Sequence, residues 1–263
     1  MRRLERHRKP EITLPTITNL ATIVVPSKYP DIFEGCRASL AQFAPSAPKI
    51  LVRDGESIGN PEGWKVIQGP DEPFVYARNV NLGIQACSGD VLLMNDDVRL
   101  FRSQTLETLQ AVLATHPSIG ILSPRVLGQA CNVGCPGSQL VQEADVFVAF
   151  VCVLIRRDVF NRIGLLDETF IGYGSEDIDF CRRAREVGYR SATTSAALVM
   201  HGHQGTTCST SHDRERKRNP EAYSFRPELS DRRYAEKWGG VDARPQTQPK
   251  PKLKTEDTTG GPS

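Results

Sequence analysis

Residues 77–98 read ARNVNLGIQACSGDVLLMNDDV, and their pattern decides the fold class. Val75 to Ala86 reads as a helix that closes near Gly89. Val91 to Met94 is apolar at every position, as expected of an interior strand covered on both faces. It runs straight into Asn95-Asp96-Asp97. In open α/β sheets ligands bind outside the carboxyl ends of strands. Two adjacent acids there supply hard oxygen ligands for a divalent cation, which in turn neutralises a diphosphate. Alternation along an extended backbone sends Asp96 and Asp97 to opposite sides. One can face a metal while its neighbour takes a ribose hydroxyl. The plainer reading is a polar strand exit, so the triplet needs company.

Outward from this segment the same alternation continues. Leu20 to Val25 is a short apolar strand stopped by Pro26, and Ile32 to Phe43 has helical spacing ended by Pro45. Lys49 to Arg53 and Trp64 to Gln68 read as strands. Gln104 to Thr115 is an amphipathic helix with Leu106, Leu109, Val112 and Leu113 on one stripe, and Ile119 to Leu122 is a strand. Strands alternating with helices predict an α/β fold, with a mostly parallel central sheet flanked by helices. Ser123 to Ala144 is irregular. The pattern resumes with a strand from Val146 to Ile155, a short helix from Val159, a helix from Glu176 to Val187 and a strand around Ala196 to Met200. The predicted organisation is a basic flexible leader (1–18), a main domain (19–210), an extension with a short helix (211–243) and a disordered tail (244–263).

The 263 residues are 39% hydrophobic and 24% charged, the balance of an ordinary globular protein. Lys+Arg 33 against Asp+Glu 31 leaves a formal charge of +2, which argues against a dedicated nucleic-acid binder. Basic residues cluster at Arg2, Arg3, Arg6, Arg8 and Lys9, and again at Arg214, Arg216, Lys217 and Arg218. Solvated tail and loop is the plain reading, and attraction to an anionic surface the sharper one. Seven cysteines lack a framework spacing, and no stretch is apolar for long enough to span a bilayer. A cytoplasmic location is the simplest expectation, with peripheral contact at the inner membrane face through the basic leader.

Three further groups bear on chemistry. Asp54 ends the second strand, where a carboxylate can accept hydrogen bonds from a base or ribose, although Asp-Gly is also a common turn pair. Gly172-Tyr173-Gly174-Ser175-Glu176-Asp177 offers a tight loop with Ser175 as a helix N-cap. Acids in a first helical turn suit the helix dipole. Asp177 also shares a face with Phe180, Cys181, Ala184 and Val187, and a carboxylate on such a face lines a cavity or has a partner. Glu176 is expected to point off that face. Finally, His201-Gly202-His203 follows a strand, where an imidazole can ligate a metal. Cys131, Cys135 and Cys208 raise a zinc alternative, but their spacing matches no common zinc module.

In this order the segments resemble the family 2 inverting glycosyltransferases with the GT-A fold, in their rhamnosyltransferase-like branch. The likeness runs from about Leu20 to Thr206. FVCVLIRRDVFNRIGLLDETFIGYGSEDIDFCRRAREVGYR (150–190) is similar to the acceptor-side block of those enzymes, and 77–98 to the donor-side block that ends in a D-x-D-type motif. HPSIGILSPRV follows at the expected place, and VMHGHQGT resembles the closing histidine motif. The resemblance implies that Asp54 contacts the nucleobase, that Arg78, Asn79, Asn95 and Asp96 belong to the donor site, and that Asp97 and His201 bind the metal. It implies that Asp177 is the catalytic base, beside Glu176.

The activity implied is hexosyl or rhamnosyl transfer from a nucleotide sugar to a hydroxyl, with inversion and a Mn²⁺ or Mg²⁺ cofactor. The expected partners are the nucleotide-sugar donor and a carbohydrate or lipid-linked acceptor. A phosphate-rich acceptor such as a modified nucleic acid is the alternative. Asn95 departs from the acidic triplet and puts the metal mainly on Asp97 and His201. A nucleotidyltransferase would carry a glycine-rich, lysine-containing phosphate loop after the first strand, and VVPSKYPD is not one. A non-catalytic carbohydrate-binding relative would have no use for both Asp97 and Asp177.

Overall fold

The computed structural model describes residues 15, 17–55, 57–70, 74–128, 140–171, 174–202, 214, 217 and 220–239. Residues 1–14 and 16 of the basic leader, the Cys131, Cys135 and Cys208 positions, Gly172, Tyr173, His203 and the tail 244–263 lie outside them.

The donor-side half forms from short apolar strands. β1 (Thr22–Ser27), β2 (Lys49–Arg53), β3 (Trp64–Gln68) and β4 (Val91–Met94) lie parallel in the order 3-2-1-4. α1 (Pro30–Phe43) and α2 (Tyr76–Gln85) make the crossovers between them. β1 does not stop at Pro26: it pairs with β2 through Ser27, whereas its ladder to β4 ends at Val24. The missing proline N–H therefore falls where only one neighbouring strand remains. Glycine sets how closely α2 seats on the sheet, because a Cβ at Gly83 would run into Val24 of β1.

Beyond β4 the sheet is mixed. β5 (Val98–Arg99), α3 (Thr105–Thr115), β6 (Ile119–Gly128), β7 (Val141–Glu143), β8 (Cys152–Ile155), α4 (Arg157–Ile163), α5 (Glu176–Glu186) and β9 (Arg190–His201) follow in order. The full path is β3-β2-β1-β4-β8-β6-β9-β5, with β7 on β9. β8 runs antiparallel to β4 and β6, and β9 is parallel to β6 but antiparallel to β5 and β7. The predicted parallel sheet thus holds for the first four strands and for β6 with β9.

The predicted strand at Val146 to Ile155 is realised only over Cys152–Ile155. Several of the carbonyls before it are taken by side chains instead of a neighbouring strand. Arg185 donates to Asp145 and Val146, and the Tyr76 hydroxyl donates to Phe150. The last strand is longer than its apolar core at 196–200 suggests, running from Arg190 to His201.

α6 (Pro220–Trp238) is the final element. Its 19 residues exceed the short helix expected of this polar stretch. Packing supplies what composition lacks: Tyr234 is buried with Phe170 and Ile178, and Trp238 packs beside them. Among the described residues no helix is long and apolar enough to cross a membrane.

Candidate active site

The carboxyl ends of β1, β2 and β4 converge, and each contributes a polar residue. The Asp54 N–H donates to the Ser27 carbonyl (2.8 Å), which draws the exits of β1 and β2 together. Gly55 follows with φ +88, so the turn chemistry of Asp-Gly is real. Even so, the Asp54 side chain is only 1% exposed, and a turn alone would not need a carboxylate kept from water.

The acid pair divides as the strand alternation predicts. The Ser27 hydroxyl donates to Asp96 Oδ2 (2.7 Å), so Asp96 turns toward β1. Asp97 turns the other way, its Oδ1 lying 3.3 Å from His201 Nε2. All three side chains are buried. The sheet itself makes this meeting: β5, directly after Asp97, pairs Val98 with His201 and Arg99 with Met200. The Gly202 N–H then donates to the Asp97 carbonyl (3.0 Å).

On the other flank Gly128 of β6 lies opposite His201 with φ +92. A Cβ there would run into the His201 carbonyl oxygen. Gly128→Ala should therefore cost about 1–3 kcal/mol of stability and displace the imidazole. Thermal melts together with Mn²⁺ titration check this, and unchanged affinity for Mn²⁺ would show that the imidazole had not moved.

An imidazole and a carboxylate side by side fit a divalent cation that takes its remaining ligands from a substrate diphosphate and water. Among the described residues no cluster of three or more His, Cys, Asp or Glu side chains is set to hold a metal by itself.

Glu176 and Asp177 open α5. Ser175 sits at the N-cap with φ 77, a left-handed conformation uncommon outside glycine. Its carbonyl accepts from the Asp179 N–H (2.9 Å), but its side chain makes no capping bond, contrary to the predicted role. Asp177 Oδ1 accepts from the Ile178 N–H (2.8 Å).

Glu176 does not point away to solvent as expected. Its Oε2 is buried without a hydrogen-bond partner among the described residues. Burial first, and the neighbouring Asp177 charge second, push its carboxyl up to about 8, against partial relief from the Glu176 and Gly174 N–H groups. Val187, placed on the apolar face by spacing, lies past the helix end and is exposed.

Tyr76, at the start of α2, links the two sides of the cleft. Its hydroxyl is pushed well up by burial, then by the charges of Glu176 and Asp177 and, more weakly, Cys152 and Asp96. Sequence reasoning passed over Tyr76 and Ser27. Both lie at the carboxyl ends of strands or the helix starts that follow them, and that position was the available signal.

Asn79 is fully enclosed, and its Nδ2 and Oδ1 find no hydrogen-bond partner among the described residues. Arg78 and Asn95 are half-buried along the same cleft. The described thiols, Cys36, Cys87, Cys152 and Cys181, are all free.

Comparison with known proteins bears on the fold. The sequence matches no protein-family model. It is 25% identical over 236 residues to the uncharacterized protein y4gI of Sinorhizobium fredii (strain NBRC 101917 / NGR234). That match takes in 72% of this chain but 26% of the relative, so the chain spans about a quarter of the curated protein's length.

Solved structures match more broadly. GalNAc-T7 with UDP, GalNAc and Mn²⁺ superposes with a TM-score of 0.59 at 13% identity, over 86% of this chain and 51% of that one. TarS 1–349 of S. aureus in complex with UDP-GlcNAc gives 0.56 at 15%, over 82% and 73%. The mannosyltransferase PcManGT of Pyrobaculum calidifontis in complex with GDP-Man and Mn²⁺ gives 0.54 at 15%, over 84% and 73%.

The fold is GT-A. The acids after β4 and the histidine after β9 lie together, and Tyr76 is near enough to feel the charges of Glu176, Asp177 and Asp96.

Proposed function

We propose that the protein moves a sugar from a nucleoside-diphosphate donor to a hydroxyl acceptor, with inversion at the anomeric carbon. The observation that carries this reading is the buried Asp97–His201 pair (3.3 Å) beside the switch point of a GT-A sheet, opposite a second pair of acids. Donors named with the structural neighbours (GDP-Man, UDP-GlcNAc) share the nucleotide and diphosphate that such a cleft suits. Asp54 is assigned to the base, and Asn79, whose enclosed amide has no partner among the described residues, joins Arg78, Asn95 and Asp96 around the rest of the donor. The sugar is a hexosyl or rhamnosyl unit, and the acceptor a glycan or glycolipid precursor.

Asp97 and His201 would hold a Mn²⁺ or Mg²⁺ ion, whose contribution is to stabilise negative charge on the departing diphosphate. At neutral pH the raised Glu176 carboxyl keeps its proton, and Asp177, whose Oδ1 accepts from the Ile178 N–H, is the member of the pair assigned as base. Asp177 takes the proton of the acceptor hydroxyl. The acceptor oxygen bonds to the anomeric carbon as the bond from that carbon to the diphosphate oxygen breaks and its electron pair leaves with the nucleotide. A panel of sugar nucleotides with Mn²⁺ or Mg²⁺, read by nucleoside diphosphate release and product anomeric configuration, tests the reading. Silence with every donor, together with no thermal shift from any of them, would overturn it.

Glu176 also carries a stability signature. Its folded value lies above the unfolded 4.5, so the folded chain holds a proton that the unfolded chain releases. Stability from this residue is therefore complete below about pH 4.5 and is lost as pH rises through about 8. Glu176→Gln should raise the melting temperature at pH 8.5 by roughly 2–4 °C, for about 1 kcal/mol or more, and change little at pH 5. Equal shifts at both pH values would contradict the buried-acid account.

A further inference from the structure

We propose that the last turn of α6 positions the acceptor-side acids: Lys237 and Trp238 hold Asp179, and through it the helix start that carries Glu176 and Asp177. The proposal rests on the transferase reading of that acid pair. The contacts are specific. Asp179 is fully buried, yet its carboxylate has three partners: Arg183 Nε (2.8 Å), Lys237 Nζ (2.9 Å) and the Trp238 indole N–H (3.0 Å). Two of the three come from α6.

The same helix turn grips the loop ahead of the acids. Lys237 also meets Asp167 (2.7 Å), and Arg233 meets Asp167 (3.4 Å) and donates to the Thr169 hydroxyl (2.6 Å). Burial would raise the Asp167 carboxyl, but Lys237 and the Thr169 donors outweigh it, and it sits well below the usual range. Between these two anchor points Tyr234 packs on Phe170 and Ile178. The segment from Asp167 to Asp179 is thus held by α6 on both sides of Glu176 and Asp177. The opposite flank is clamped by α2, where the Asn81 amide bonds both the N–H (3.1 Å) and the carbonyl (2.9 Å) of Leu166.

Charge adds a reason that packing does not. The first turn of α5 carries three acids, Glu176, Asp177 and Asp179. A bare Asp179 would add a second buried negative charge two residues from the base. Arg183 and Lys237 balance it, and Lys237 is the member of that set supplied from outside α5. Among the described residues, the other titratable groups that feel the pair are Tyr76 from α2 and Cys181 from α5, both kept uncharged because burial raises them. Removing the lysine charge therefore leaves Arg183 as the remaining cation on Asp179 among the described residues, and the negative charge is only partly offset. The Glu176–Asp177 pair should then hold its protons to higher pH.

The test is Lys237→Met in the full chain, with Lys237→Arg as the rescue. Lys237→Met should lower kcat at least about tenfold, with the donor KM within roughly twofold, and move the acid limb of the pH–rate profile upward. A second readout does not depend on turnover: ¹³C-carboxyl NMR titration should show the pair's apparent pKa values rising by about half a unit or more. Lys237→Arg should restore both. Should Lys237→Met fail to fold, Trp238→Phe carries the test, because it keeps the ring under the Arg182 guanidinium (4.1 Å) and deletes only the N–H bonded to Asp179. A lower melting temperature with unmoved titration and profile would reduce α6 to a stabilising element and overturn the proposal. A moved titration in a protein that transfers no sugar would instead fault the transferase reading and leave the brace standing.

Discussion

Asp177→Asn should lower transfer turnover by about 100-fold or more, while nucleoside diphosphate and Mn²⁺ bind within roughly threefold of wild type. Asn is nearly isosteric, and its amide oxygen can keep the bond from the Ile178 N–H, so the helix start is retained. What disappears is the group that takes the acceptor proton, together with the charge that helps raise Glu176. The Glu176 carboxyl should then fall part of the way toward its ordinary range, burial still holding it up, which gives a spectroscopic sign that the two acids act as a coupled pair. Steady-state kinetics with a defined acceptor, beside calorimetry for the nucleotide, separate the effects. Near-normal turnover in Asp177→Asn with a dead Glu176→Gln would exchange the two roles. If both variants stay active, the base lies elsewhere.

Asp97→Ala should abolish the Mn²⁺-dependent part of nucleoside diphosphate binding. The side chain is buried against His201, and no described cluster of acids or histidines stands ready to replace it. Calorimetric titration with Mn²⁺ and with EDTA should give the same weak isotherm in the variant, against a clear difference in wild type. His201→Ala should lose less, because one of several ligands is removed. Unchanged affinity in Asp97→Ala with Mn²⁺ would sink the assignment of this carboxylate.

The parts of the fold legible in sequence were those whose signal is local. Lys49–Arg53, Trp64–Gln68 and Val91–Met94 agree residue for residue, because short apolar runs between turn residues leave few alternatives. The acids after β4 were legible because strand ends are where ligands bind. What escaped is non-local. β5 is two residues long and exists only as a partner of β9. The early residues of β9, RSATTSA, have no apolar run and are strand only because β6 and β7 flank them. Helical spacing turns Glu176 off the apolar face of α5, yet its Oε2 is buried. Nor does spacing reveal that Asp179 will meet Lys237 and Trp238 from the last helix.

The seam between β5 and β9 governs when the protein becomes competent as it is made. The first four strands, all within the first 94 residues, can take up their parallel order before the rest of the sheet is made, since none of their pairings needs a later residue. The outer edge of β4 then stays open until Cys152–Ile155 docks against it. β9 comes last of the strands and slots between β6 and β5, and that same step carries His201 to Asp97. Completion of the sheet and assembly of the Asp97–His201 pair are therefore one event, and a nascent chain that ends before Arg190 lacks the strand that carries the imidazole.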